Sequence, residues 1–263
     1  MIVLHVGDVV GKPGRKTVRR FMPELIDEYQ PDLIIINGEN VAGGIGITAS
    51  TAGELMAAGA GCITTGNHVW AQKPALQLLD EDRDILRPAN YPPGVPGTGA
   101  GLFEARSMSG LQVGVINLLG RVFMHEMDCP FRVADEQIEA LKEHTNIIVV
   151  DFHAEATSEK QAFARYVDGR VSAVIGTHTH VQTADEQILP GGTAFIADVG
   201  MTGARESIIG VEMESVLHRF LTQLPQRFKP PTDGPGFLCA VVVEVDESSG
   251  QALRIERLRR DMD

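Results

Sequence analysis

The amino-acid sequence predicts an α/β fold organised around a largely parallel sheet. Short apolar runs alternate with segments whose apolar residues recur at helical spacing, which is the pattern of βα units. The runs are near-continuously hydrophobic rather than alternating, as suits strands covered on both faces. Each run also closes in polar residues at its C-terminal end, the edge outside which ligands of α/β sheets bind. With 263 residues, 43% of them hydrophobic and 22% charged, the chain is near the size limit of one core, so a single domain over 1–263 is expected.

Residues 2–6 form a first strand that ends in Gly7-Asp8. From 15 to 29, Val18, Phe21, Met22, Leu25, Ile26 and Tyr29 mark the buried face of a helix,. Its cationic start, Arg15, Lys16, Arg19 and Arg20, is expected to be a solvated face. Residues 32–36 make a second strand closing in Asn37-Gly38-Glu39-Asn40. Gly43, Gly44 and Gly46 belong to a rim loop; no Lys follows them, so they form no Walker-type phosphate loop,. Thr48 or Ser50 caps the next helix, and Gly59 and Gly61 stop it,. A third strand at 62–65 ends in Gly66-Asn67-His68.

Residues 88–101 hold four Pro and four Gly and are expected to be loop. A strand pair follows at 102–105 and 113–118, then an irregular stretch at 121–132 and a helix at 134–144. The strand at 147–150 closes in Asp151-Phe152-His153, and a helix covers 158–167. The run 171–175 leads into Gly176-Thr177-His178-Thr179-His180. An apolar run at 194–197, a helix at 211–224, a basic proline-rich turn at 227–231 and strands at 238–245 and 252–258 complete the chain.

Composition narrows the partners. A formal charge of −12 argues against a surface for long nucleic acid. No apolar run approaches the roughly 20 residues of a membrane span, and the N-terminal residues lack the pattern of a signal peptide. Cys62, Cys129 and Cys239 form no CxxC pair; they fit buried packing in a reducing cytoplasm rather than disulfides or thiolate-bound zinc.

The polar strand ends carry the chemistry. Residues two apart in extended chain point the same way, so His178 and His180 project together. Asp8, Glu39 with Asn40, Asn67 with His68, and His153 occupy the other strand ends. Taken singly, Asn40 and Asn67 could be turn formers and His153 a core imidazole. Oxygen and imidazole ligands without sulfur suit Mn, Fe, Zn or similar ions. Six or seven ligands exceed the needs of one open catalytic ion but suit two ions bridged by a carboxylate. Such ions lie about 3.5–4 Å apart and share a bridging hydroxide formed near neutral pH. Two dications against Asp8, Glu39 and hydroxide leave roughly one positive charge, enough to favour a phosphate in an acidic protein.

In order, Gly7-Asp8, Gly38-Glu39-Asn40, Gly66-Asn67-His68, His153 and Gly176-x-His178-x-His180 resemble the signature of calcineurin-like metallophosphoesterases, across about two thirds of the chain. There are two departures. The usual Asp-x-His opening is Asp8-Val9-Val10, and the usual Gly-Asp is Gly38-Glu39-Asn40. With the start IVLHVGDVVGKPGR and the run TTGNHVW, they resemble the YmdB-like branch of bacterial phosphodiesterases.

That resemblance implies two central β-sheets packed face to face with helices on the outside, a metallophosphoesterase-like four-layer sandwich. The middle and late strands would supply the second sheet. It implies hydrolysis of a small phosphodiester, a cyclic nucleotide, with 2′,3′-cyclic mononucleotides the expected substrates. It further implies two metal ions, with Fe expected and Mn or Zn as alternatives. Asp8, Glu39, Asn40 and His180 would hold one ion; Glu39, Asn67, His153 and His178 would hold the other. The Asn40 amide would replace the missing histidine, and His68 would be the general acid. Asp151, Glu155 and Asp198 lie near this rim and are expected as caps or surface residues rather than as groups that orient ligands. The rival readings are a nuclease or phosphomonoesterase with the same centre, and a nucleotide-binding regulatory protein without turnover. A homo-oligomer is compatible with all of them.

Overall fold

A computed structural model describes residues 1–262. The first segment runs β1 (Ile2–Val6), β2 (Asp8–Val9), α1 (Gly11–Tyr29), β3 (Leu33–Asn37), α2 (Ala49–Ala57), β4 (Cys62–Thr64), α3 (Ala75–Glu81) and β5 (Ile85–Leu86). The second adds β6 (Ala100–Glu104), β7 (Gln112–Leu119), α4 (Pro130–Lys142), β8 (Ile148–His153), α5 (Thr157–Tyr166), β9 (Ala173–Thr177), β10 (Gln187–Ile188) and β11 (Ala194–Ile196). The chain then returns through β12 (Met201–Ala204), α6 (Met213–Thr222), β13 (Gly236–Val245) and β14 (Ala252–Asp261).

These strands make two sheets. The first has the order β2-β12-β13-β1-β3-β4-β5, with β14 on the remaining edge of β13; the second has the order β10-β11-β9-β8-β7-β6. Strands β1, β3, β4 and β5 are mutually parallel, as are β7, β8, β9 and β11. β13 runs antiparallel to β1, so a late hairpin completes the first sheet.

The alternation of side chains along each strand sorts the core into three layers. Leu4, Val6, Ile34 and Ile36 pack with Val18, Met22 and Leu25 of α1. Val3, Leu33 and Ile35 face the other way, onto Val115, Val149 and Ile175 of the second sheet. The far side of that sheet, Ile148, Val150 and Phe152, packs on Ile138 of α4 and Phe163 of α5. Helix, sheet, sheet and helix therefore stack as four layers, and the expected sandwich is the architecture of the chain.

Several local details differ from the sequence reading. α1 starts at Gly11 rather than at residue 15; Pro13 falls in its first turn, where a missing N–H costs nothing. Arg15 does not belong to a solvated face. Its guanidinium donates to the Val41 carbonyl at 2.7 Å and pairs with Glu54 at 3.0 Å, because that side of α1 abuts the rim loop and α2. The short helix α3 escaped the sequence reading because its 7 residues span too few turns to show a period. Thr48 does cap α2, in a reciprocal box with Thr51,. Cys62 and Cys239 are buried, whereas Cys129 is half-buried at the start of α4, where its sulfur receives Arg121.

Candidate metal centre

Because β1, β3, β4, β8 and β9 approach one rim with their C-terminal ends, the polar residues that follow each strand converge there. Asp8 lies just beyond β1, and β12 pairs beside it through Met201. Glu39 and Asn40 follow β3, Asn67 and His68 follow β4, His153 ends β8, and His178 and His180 follow β9. The structure brings all eight together.

Two groups of donor atoms lie each within 4.8 Å of one another: Glu39, His153 and His178, and Asp8, Glu39 and His180. Glu39 is common to both. Around the first, His153 Nε2 lies 3.2 Å from Glu39 Oε2, 3.1 Å from His178 Nδ1 and 3.0 Å from Asn67 Oδ1. Around the second, Asp8 Oδ1 lies 3.9 Å from His180 Nε2. The Asn40 amide sits between them, its nitrogen 2.7 Å from Glu39 Oε1 and 3.2 Å from His180 Nε2. A half-turn of that amide would bring Oδ1 inward, as a metal ligand requires.

This donor set fits a pair of divalent ions. Among the described residues Asp8 Oδ1 is buried with no hydrogen-bond partner, and an orphaned buried carboxylate oxygen marks the seat of a cation. Gly66 explains itself by the same crowding: a Cβ there would overlap Glu39 Oε2 and His153 Nε2.

The charges respond to this proximity. Burial pushes the Asp8 carboxyl up to about 6, with Glu39 adding to the rise while His180 and His153 oppose it. Burial also works against the charge of Glu39, yet His153 and His68 beside it hold its carboxyl well below the usual range. Burial would lower His153, but Glu39 and Asp8 lift it to about 9. Burial and the neighbouring His153 push His178 down to about 3, so its ring is neutral.

Each histidine is turned by a bond to its outward nitrogen. The Thr177 hydroxyl donates to Asp151 Oδ1 at 2.7 Å, so its oxygen accepts from His153 Nδ1 at 2.9 Å. His180 Nδ1 donates to the Ile209 carbonyl at 2.8 Å. His178 Nε2 lies 3.2 Å from Glu155 Oε2. In His178 and His180 the lone pair of the other nitrogen faces the centre, and His153 would present its own once an ion displaces the proton on Nε2.

Asp151 and Asp198 are therefore not caps or surface residues, being 0% and 1% exposed. Asp151 also receives Asn37, Thr64 and His5 from the facing sheet, bonds that keep it below the usual carboxylate range despite its burial. Asp198 receives the buried Lys160 ammonium at 2.8 Å and both the amide and hydroxyl of Thr179. That clamp holds the turn on which His178 and His180 sit at φ 97° and 68°, conformations uncommon outside glycine. Glu155 is half-exposed as expected, but it faces His178. Sequence reasoning missed Thr177, Lys160, His5 and Ile209; only Thr177, inside the histidine motif, carried any positional signal.

His68 lies at the mouth of this centre, its Nδ1 2.9 Å from Asn40 Oδ1 and 3.3 Å from Glu39 Oε1. Above it opens a cavity of about 450 Å³, within the range of small-ligand sites. Among the described residues no helix is long and apolar enough to cross a membrane.

A family profile described as YmdB-like protein matches residues 4–258. The chain is 48% identical over 258 residues to a 2′,3′-cyclic-nucleotide 2′-phosphodiesterase of Bacillus subtilis, covering 98% of this chain and 96% of that protein. A crystal structure described as a novel phosphatase of Mycoplasma pneumoniae superposes with a TM-score of 0.92 at 36% identity, over 100% of this chain and 94% of the other. The calcineurin-like phosphoesterase YfkN of Bacillus subtilis shares the fold, with a TM-score of 0.57 at 12% identity, over 99% of this chain and 90% of that one. The rim of strand ends and the four-layer sandwich agree with these likenesses: the chain belongs to the YmdB-like family.

Proposed function

We propose that the protein is a dinuclear-metal phosphodiesterase that opens 2′,3′-cyclic mononucleotides. The observation that carries this reading is the pair of ligand groups sharing Glu39 at the floor of one small-molecule cavity. The activity of the Bacillus relative supports the substrate and selects the bond to the ribose 2′ oxygen.

Asp8, Glu39, Asn40 and His180 would hold one ion, and Glu39, Asn67, His153 and His178 the other. The nitrogen and oxygen donors suit Fe, with Mn or Zn as substitutes. When bound, two such ions polarise phosphoryl oxygens and supply a nucleophile from water near neutral pH. The chain's own residues do the rest. Thr177, Ile209 and Glu155 hold the three imidazoles with lone pairs inward. With its amide turned, Asn40 would donate Nδ2–H to His68 Nδ1 and so keep the ring proton on Nε2,; among the described residues nothing bonds Nε2, which is left for substrate. As the bond from phosphorus to the 2′ oxygen breaks, His68 gives that oxygen a proton. Three free cysteines support a reducing compartment such as the cytoplasm.

The test pairs metal analysis with a substrate panel. Protein purified without added metal should carry two ions per chain and hydrolyse 2′,3′-cyclic mononucleotides in preference to a phosphomonoester or a cyclic dinucleotide. Glu39→Gln should lower occupancy at both sites. A Glu39→Gln protein with two ions and full activity refutes the shared ligand, and a wild type that prefers the monoester refutes the substrate.

A further inference from the structure

The cavity above the metal centre has two unlike banks. Glu39, Asn40, His68, His178 and His180 contribute the polar one, and Ile45, Ile209, Val211 and Phe228 the apolar one. The apolar bank is not core: Ile45, Ile209 and Phe228 are 44%, 52% and 48% exposed. Large apolar side chains held open beside a polar site are the usual build of a ligand subsite.

Ile209 is the informative residue. Ile208 and Val211 exchange backbone bonds of 2.9 and 3.0 Å, which leaves Ile209 and Gly210 as the centre of a tight turn. Both have positive φ, 46° and 91°, the pattern for which Asn-Gly is the ordinary choice. A β-branched side chain at positive φ is strained, and strain of this kind persists where it serves a site. The carbonyl that receives His180 does not require isoleucine, since asparagine would present the same backbone. What isoleucine adds is apolar surface facing the cavity.

We infer that Ile209 and Phe228 form the seat of the substrate's nucleobase. This rests on the cyclic-mononucleotide reading above and adds the residues that hold the far end of the molecule. The base lies against Ile209 and stacks on the Phe228 ring while the cyclic phosphate meets the polar bank. The two side chains offer no hydrogen-bonding groups, so they grip by ring area. Purines bind better than pyrimidines, and adenine and guanine are treated alike. The cavity has one such bank, so it seats one base and disfavours a cyclic dinucleotide.

Two variants test the seat. Ile209→Asn removes the apolar surface and relieves the strained turn, so it should melt at or above the wild-type temperature. Phe228→Ala trims a half-exposed ring and empties no core. In each, the ratio of kcat/KM for adenosine 2′,3′-cyclic phosphate to that for ethylene glycol cyclic phosphate, which has no sugar or base, should fall about tenfold or more. Adenosine 3′-monophosphate titrated calorimetrically into the metal-loaded protein should bind more weakly by a similar factor. An unchanged ratio and unchanged nucleotide affinity in both variants overturn the seat. A wild type that binds the monophosphate through Phe228 yet cleaves no cyclic phosphate keeps the seat and refutes the phosphodiesterase reading instead.

Discussion

Replacing Thr177 by Val removes one hydroxyl from a fully buried relay and changes almost nothing in shape. In the native protein that hydroxyl joins His153 Nδ1, at 2.9 Å, to Asp151 Oδ1, at 2.7 Å. Without it, the ring loses its only outward anchor among the described residues, and Asp151 Oδ1 loses its partner. A buried polar group left unpaired costs about 1–3 kcal/mol, so with two such groups the variant should lose roughly 2–6 kcal/mol of stability. Freed to rotate, His153 should also bind its ion about 10–100-fold more weakly. The loss should be confined to the site built from Asn67, His153 and His178, because Asp8 and His180 are anchored elsewhere. Competition with a chelator of known affinity, read site by site, measures this. Thr177→Ser keeps the hydroxyl and should retain wild-type affinity, with a stability loss of about 1 kcal/mol for the missing methyl. If Thr177→Val holds both ions as tightly as the wild type, the relay does not orient His153.

His68→Ala should keep both ions but slow hydrolysis of cyclic nucleotides by roughly 10²–10⁴; the loss should shrink for a p-nitrophenyl ester, whose leaving group departs without a proton, and equal losses would make His68 a phosphate contact. Lys160→Met strands the Asp198 charge in the interior and should cost about 3–5 kcal/mol in urea unfolding; pairing it with Asp198→Asn should recover part of the loss, and an additive double variant would deny the coupling. Metal-free protein should become less stable as pH rises from 6.5 to 9, because the lifted His153 binds a proton in the folded state that the unfolded chain has already lost,. Over the same range metal affinity should rise by about tenfold per pH unit, since the ion must displace that proton; a flat profile would mean that His153 is neutral throughout.

The legible part of this protein was its periodic part. Runs such as residues 33–36 and 147–150 are buried on both faces and so are hydrophobic without interruption, which makes both the strand and its polar end visible. Asp8, Glu39, Asn67, His153 and the two motif histidines stood out for that reason. Thr177 and Lys160 did not, since a lone Thr or Lys acquires its role only from partners brought in by the fold. His5 is extreme: it lies inside the first strand and meets Asp151 across 146 positions of sequence. Asp151 and Asp198 misled for the complementary reason, because aspartate after a strand is usually a solvated turn residue, and burial that reverses this is a property of two sheets rather than of either segment. Ile209 was hidden by its side chain, which contradicts the backbone conformation it adopts.

The late arrival of β13 has a consequence for how the molecule is made. Val6 next to the future metal site pairs with Ala240, so a chain emerging from its N-terminus has every ligand residue from Asp8 to His180 in hand while one flank of β1 is still bare. Until residues 236–245 are synthesised, that flank is an unsatisfied sheet edge, open to pairing with another nascent chain. Closure by the last hairpin thus seals the edge beside Asp8 in the same step that completes the sheet. Nascent chains stalled before residue 236 should therefore need protection from one another, and the centre should take up its ions only once β13 has paired with β1.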